Sequence, residues 1–398
     1  MNSKYWVISE FYHPTENSTG LIITKIVDAL SKKNKVNVIT VGGKGTPERN
    51  NNIYTCRVND VHVDKNNLVK RVYKLLTITI LLAIKTIKNI KKNDTVIAVT
   101  NPVFMLIFLS IYRKFYKFRY ILIVHDIFPE NVAVLGLVDK NSFKYRLSKK
   151  FFDWAYKKAD LLIPCGCDMA RTISDKIGRT DGVVTIQNFS ENDKIYPVDK
   201  RENTILKELG IENKFVVLFT GNIGRMQNIS AIIEAAGILN NEKDIVFLFI
   251  GGGAMERLIF DYINNGGSNI KFLPSMSRDK SIDFLNAGDI GLVSLIPNIM
   301  GTGVPSKSYS YLAAGKPILA MIDDESEISD MINKYNVGWV TSPSDAESLS
   351  KLIIYLKNNP LEVADKGKLS YELSQNEMNS NCILEKFSNV ITSEYSKL

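Results

Sequence analysis

Three loops in the second half of this sequence put glycines where an apolar run gives way to a helical pattern, two of them beside a cation, and that chemistry suits an anion. The stretch "FTGNIGRMQN" (219–228) follows "KFVVL" and precedes "ISAIIEAAGIL". Gly221 and Gly224 permit a tight turn, a helix over 228–240 points its unpaired N–H groups and dipole back at the loop, and Arg225 adds charge-assisted hydrogen bonding. A plain strand-to-helix turn fits the same residues, because the spacing is neither G-x-G-x-x-G nor a P-loop. "IGGGAMERL" then sets Gly251, Gly252 and Gly253 directly before a helix. These glycines allow either close passage of a nucleotide or sugar, or tight helix–sheet packing. In "MGTGVPSKSYSYLAAGKPILA" (300–320), Pro305 suits a first helical turn that presents the amides of Ser306 and Lys307 beside a basic side chain, and Gly315 suits the C-cap. Lys307 taken alone also reads as a solvated surface lysine. In the first half, His125 and Asp126 close the run "YILIVHD", where side chains can project into a cleft, and Glu130 follows. Asp126 and Glu130 could orient a hydroxyl or take its proton; a structural histidine and a helix-capping glutamate are the alternatives.

Loops of this kind need strands and helices to aim them. Short β-branched or aromatic runs alternate with longer helical patterns along nearly the whole chain, the signature of parallel sheets with crossover helices. Strands are expected at "YWVISEF", "KVNVITV", "TVIAVT", "YILIVHD", "DLLIPC" and "VVTIQNF", then at "KFVVLFTG", "DIVFLFIGGG", "NIKFLP", "DIGLVSL", "KPILAMI" and "GWVT". Helices are expected from near Thr19, Asn66, Pro102, Ser142 and Cys167, and from near Asn228, Met255, Arg278, Pro305, Ser326 and Ser344. At 398 residues the chain exceeds the roughly 250–300 at which one core stops growing. The fold class is therefore α/β, with two doubly wound domains: 1–195, 196–375 after the polar, Pro197-interrupted connection "SENDKIYPVDKRENT", and a terminal helix over 376–398 expected to return to the first domain.

Charge separates the two halves. Residues 1–200 hold 32 Lys+Arg against 18 Asp+Glu, and the remainder hold 18 against 24, so only the first half is suited to a polyanion. Between Lys65 and Lys92 lie eight basic residues and no acidic one, flanking "LLTITILLAI", and "YRKFYKFRY" mixes four cations with five aromatics. Lys70, Arg71, Lys74, Lys85, Arg113, Lys114 and Lys117 are thus candidates for an anionic membrane surface; a solvated basic helix face is the alternative. No nucleic-acid recognition module accompanies the charge. The apolar runs 75–84 and 103–112 are each about half the length needed to span a bilayer. Four cysteines and three histidines form no zinc pattern, "DDES" is not a D-x-D motif, and no signal-peptide core follows Met1. A peripheral protein on the cytoplasmic side of the plasma membrane is expected, with no metal.

Taken together, the glycine loop after the first strand of the second domain, the "IGGG" loop and "PSKSYSYLAAGKPILA" resemble the nucleotide-sugar glycosyltransferases of the GT-B fold, family 4 type, particularly the N-acetylfucosaminyltransferase-like group of surface-polysaccharide enzymes. "SEFYHPTENSTGLIITKIVDALSKKNKVNVIT" and "ILIVHDIFPENVAVLGLV" resemble that family's first half. The resemblance implies two Rossmann-like domains facing across a cleft, a UDP-sugar donor on the second and a lipid-diphosphate-linked saccharide acceptor on the first, with retention of configuration. It implies donor contacts at Gly20, Gly221, Asn222, Gly224, Arg225, Gln227, Gly252, Leu273, Pro274, Gly303, Val304, Pro305, Ser306, Lys307 and Tyr309, and turns His125 toward the donor sugar. Asn222 and Gln227 stand where many relatives carry Arg and Lys, and Thr302 and Ser310 where many carry glutamates, so Arg225 and Lys307 would carry the charge neutralisation. A non-catalytic sugar-nucleotide-binding subunit and a nucleotide-sugar epimerase of the same fold are the competing readings.

Overall fold

A computed structural model describes residues 4–15, 17–46, 48–61, 68–190 and 194–393; the side chains of Leu68, Val69 and Arg71 lie outside the description. Asn66 and Lys65, and residues 191–193 of the connection, also fall outside it. The chain forms two units: Met1–Gln187 with Gly301–Gly303 and Ile383–Leu398, and Asn188–Met300 with Val304–Cys382. The division falls at Gln187, and Asn286 of the second unit holds the end of the connection. Its amide donates to the Tyr196 carbonyl and accepts the Val198 N–H, both at 2.9 Å.

Unit 1 runs β1 (Tyr5–Ile8), α1 (Ser18–Ser31), β2 (Val36–Val41), β3 (Ile53–Val58), α2 (Leu68–Asn89), β4 (Thr95–Val99), α3 (Phe104–Phe115), β5 (Arg119–Val124), α4 (Glu130–Val134), α5 (Phe143–Tyr156), β6 (Leu161–Pro164) and α6 (Cys167–Ile177). Its sheet is parallel, ordered β3-β2-β1-β4-β5-β6. The central strands are continuous apolar runs, with every residue of β4 buried, as a sheet covered on both faces requires. Asn17 and Ser142 cap α1 and α5 by accepting the Gly20 and Tyr145 N–H groups.

Unit 2 runs α7 (Thr204–Leu209), β7 (Phe215–Asn222), α8 (Ile229–Ile238), β8 (Ile245–Gly252), α9 (Glu256–Asn264), β9 (Ile270–Leu273), α10 (Ser281–Leu285), β10 (Ile290–Ser294), α11 (Lys307–Ala313), β11 (Ile318–Met321), α12 (Glu327–Tyr335), β12 (Gly338–Thr341), α13 (Ala346–Asn358) and α14 (Pro360–Gln375). The order β12-β11-β10-β7-β8-β9 repeats the first sheet's winding. A core built on Phe219, Phe247, Phe249, Ile232 and Leu349 joins the sheet to α8 and α13. The last helix, α15 (Ser380–Thr392), belongs from Ile383 onward with unit 1, where the Arg119 guanidinium donates to the Ile391 carbonyl at 2.7 Å.

Three expectations change. "VVTIQNF" is not a strand: it makes one bridge, Val183 to Leu162, because the next partner position is Pro164, which has no N–H to return. Strand β3 escaped notice as a half-exposed edge strand of mixed polarity. The terminal helix expected from 376 begins at Ser380, as α15. Among the described residues no helix is long and apolar enough to cross a membrane.

Candidate functional site

In a doubly wound sheet the strand order reverses beside the first strand, and the two crossover directions leave a crevice beyond the carboxyl ends there. In unit 2 that point lies between β7 and β10. Strand β7 ends in Gly221 and Asn222, both exposed, and Gly221 takes φ +93°, which a residue with a Cβ resists. A 3-10 turn, Arg225–Gln227, follows before α8, its Met226 carbonyl fixed by the Ile296 N–H beyond β10 at 3.0 Å. Arg225 projects into solvent and Gly224 is buried. Asn228, in the left-handed region, ties the start of α8 to the Pro343 carbonyl at 2.6 Å.

Helix α11 is held over β7 by Tyr311. Its hydroxyl accepts the Thr220 N–H at 2.9 Å and reaches the Leu218 carbonyl at 3.2 Å. Gly291 on β10 makes room for that ring, since a Cβ there would sit 2.4 Å from it. One turn earlier on the same face, the Lys307 ammonium is buried without a hydrogen-bond partner, 3.4 Å from the centroid of the Phe219 ring. Burial pushes its pKa well below the ordinary lysine value. Gln227 Oε1, Ser294 Oγ and Ser308 Oγ are likewise buried and unpartnered among the described residues. These four polar groups, on the turn after β7, the end of β10 and the start of α11, are buried beside the switch point without the partners that buried polar atoms ordinarily have.

Other donor candidates surround that point to different degrees. Gly252 ends β8, its carbonyl accepting the Ile223 N–H at 2.9 Å, and the following Gly253 N–H is capped by Glu256. Leu273 ends β9 half-buried with Pro274 exposed after it. Val304, Pro305 and Ser306 are half-buried before α11, which starts two residues later than expected, and Tyr309 is fully buried inside it. Gly315 caps α11 at φ +64°.

In unit 1, Gly20 is buried in the first turn of α1 with its N–H already bound to Asn17 at 2.7 Å, so its amide is not a free donor. Gly303 pairs with Asp126 across an isolated bridge, and the Ile127 N–H donates to the Thr302 carbonyl at 2.9 Å. His125 is half-buried and Asp126 exposed, yet enough protein surrounds both to disfavour charge: the imidazole is pushed down to about 4 and the carboxyl is raised. The backbone N–H groups of both donate to the Thr100 hydroxyl at 3.3 Å.

Glu130 is a correction. Helices α5 and α6 bring Lys149 and Lys176 to its carboxylate, Lys176 contacting both oxygens at 2.8 and 2.9 Å and Lys149 standing at 3.3 Å. A carboxylate so neutralised ties α4 to α5 and α6 and is not available as a base. The membrane candidates divide as well. Lys74 pairs with Asp60 at 3.3 Å and Lys85 is half-buried. Arg113 is committed to the Phe118 and Lys158 carbonyls and to Asp160. Lys70, Lys114 and Lys117 are exposed, with Lys114 5.2 Å from the Trp154 ring centroid; the Arg71 side chain lies outside the described residues.

Sequence reasoning missed the residues that hold the loops. Asp323 accepts the Asn298 and Ile299 N–H groups at 3.1 Å and that of Met300 at 3.3 Å, and Asp168 accepts the Gly301 N–H at 3.0 Å. Their only sequence signal is acidity near a strand end or helix start. Glu10, just past β1 and beside the unit 1 switch point between β1 and β4, is nearly fully buried, and that burial raises its pKa.

Residues 201–376 match the family described as glycosyl transferases, group 1. The probable glycosyltransferase WbjE of Pseudomonas aeruginosa is 29% identical to this chain over 389 residues, 97% of this chain and 96% of its own. The putative colanic acid biosynthesis glycosyl transferase WcaI of Escherichia coli K12 is 25% identical over 264 residues, 65% of each. The crystal structure of Anabaena HepE in complex with UDP matches with a TM-score of 0.72 at 13% identity, covering 98% of this chain and 99% of that one. HepE also has a structure in complex with UDP-glucose. At such identity the structural likeness speaks to fold, and the fold is a two-unit α/β arrangement of GT-B type. The family match favours neither the epimerase nor the non-catalytic reading.

Proposed function

We propose that this chain is a group 1 glycosyltransferase that moves a sugar, of the N-acetylated amino-sugar class, from a UDP-sugar to a lipid-diphosphate-linked saccharide in polysaccharide assembly, with retention of configuration and no metal. The observation that carries the donor half is the Lys307 ammonium, buried over the Phe219 ring beside the β7/β10 switch point without a hydrogen-bond partner, with Gln227, Ser294 and Ser308 also unpartnered on neighbouring elements. A diphosphate would supply the missing anion, and Arg225 on the adjoining turn would add a second cation. Leu273 and Pro274 would flank the base, and Gly303 to Tyr309 the phosphates, ribose and sugar. The UDP complexes of HepE and the polysaccharide assignment of WcaI support the same reading.

In unit 1, His125 would hydrogen-bond the donor sugar as a neutral imidazole, and Asp126 would orient the acceptor hydroxyl. The departing phosphate would take that hydroxyl's proton on the face it leaves, so the protein's work is positioning and leaving-group stabilisation. Lys70 on α2, Lys114 in the last turn of α3 and Lys117 just after it would face anionic lipid where the acceptor resides. Calorimetry with a UDP-sugar panel, followed by transfer assays on a lipid-diphosphate saccharide, tests this. Binding of UDP but no nucleotide-sugar turnover on any lipid acceptor would overturn it, and EDTA should leave the rate unchanged.

A further inference from the structure

Helices α2, α3 and α5 lie side by side as one layer of unit 1, α2 packing on α3 and α3 on α5. The outer face of this layer is more apolar than a solvated surface should be. On α2, Tyr73, Leu76, Ile80, Ile84 and Ile87 form an exposed stripe at helical spacing. On α3, Ile111 and Phe115 continue it, and on α5 Phe143, Leu147 and Phe151 stand exactly four residues apart, Phe143 and Phe115 being 77% and 76% exposed. The three helices contain a single acidic residue, Asp153, which is ion-paired with Lys149 and Lys176.

Two basic hollows adjoin α5. One, about 540 Å³, is lined by Arg146, Lys150, Trp154 and Lys157 with the Lys149–Asp153 ion pair; the other, about 630 Å³, by Lys114, Lys117 and Lys158 with the Arg113–Asp160 ion pair. Trp154 borders the first hollow, and Lys114, from the second, stands over its ring. Arg146, Lys150, Lys157, Lys114, Lys117 and Lys158 have no acidic partner among the described residues.

We propose that α5 is a membrane anchor: Phe143, Leu147 and Phe151 enter an anionic phospholipid bilayer while the two hollows on either side seat lipid phosphates. The proposal rests on the membrane reading above and extends it to a helix that reading did not include. Charge selects the occupant. A second copy of this face would set Lys114, Arg146 and Lys150 against their own like charges across an apolar contact, whereas anionic headgroups neutralise them. Protruding aliphatic Leu147, Ile80 and Ile84 suit acyl chains.

The test is sedimentation of the full chain with phosphatidylglycerol and phosphatidylcholine vesicles. The F143S/L147S/F151S variant should bind phosphatidylglycerol vesicles at least about tenfold more weakly, and K114A/K117A/K158A about a hundredfold more weakly with a flatter salt dependence. Unchanged UDP affinity and melting temperature would show both variants folded. Brominated lipid should quench the wild type's fluorescence but not that of W154F, since Trp6 is buried and Trp339 lies in unit 2. Wild-type binding by the α5 variant overturns the proposal. If I80S/I84S on α2 abolishes binding in that case, the membrane reading stands without α5; if neither does, both fall. A dimer that the α5 substitutions dissociate, without any vesicle binding, also overturns it. Loss of UDP binding in the wild type would bear on the donor reading alone.

Discussion

At the residue scale, the donor site proposed for unit 2 turns on Lys307. Its pKa lies well below 10.5 in the folded chain. Between that depressed value and 10.5 the unfolded chain holds a proton that the folded chain lacks, so this residue's contribution to stability is present above 10.5 and lost as pH falls. A diphosphate bound there would restore the charge, so binding should take up a proton and weaken as pH rises above the depressed value. Lys307→Met should lower UDP affinity by roughly tenfold to a hundredfold, the cost of a charged hydrogen bond, abolish the proton uptake and leave or raise the melting temperature of the free protein. Isothermal titration in buffers of different ionisation enthalpy reads all but the last. His125 titrates in another window. With its pKa pushed down to about 4 from 6.5, the fold should lose stability as pH falls through that interval, and His125→Gln should remove this component from a pH series of unfolding curves.

At the element scale, the position of α11 depends on the fit between Tyr311 and the bare backbone of β10 at Gly291. Gly291→Ala would put a methyl carbon 2.4 Å from the ring and force α11 off the sheet. UDP affinity should fall together with stability. Tyr311→Phe keeps the packing but strands the Thr220 N–H, and should cost about 1–3 kcal/mol in urea unfolding. An unchanged UDP affinity in Gly291→Ala would mean that α11 does not carry the donor site. These elements were legible in part: all six strands of the second sheet follow from their apolar runs. The positions of Lys307 and Tyr311 on one face of α11 also follow from spacing, but not which strand that face meets.

At the scale of the whole molecule, the basic and acidic halves correspond closely to units 1 and 2, so salt should weaken vesicle association much more than UDP binding. Removing the chain from Ile383 onward strips α15 from unit 1 and leaves the Arg119 guanidinium without the Ile391 carbonyl. Calorimetry should then show one unfolding transition shifted down, while the transition that UDP raises stays in place.

Local sequence by itself determined the alternation of strands and helices, the doubly wound class, the glycine loops at strand ends and the basic first half, because periodicity, turn chemistry and charge are properties of neighbours in the chain. It also offered Glu130, Lys74 and Arg113 as functional charges. Only the tertiary structure decided that these three are already paired, with Lys176, Asp60 and Asp160, while Lys307 is not. A charge's availability depends on what the fold brings within about 4 Å of it, a distance the sequence does not contain.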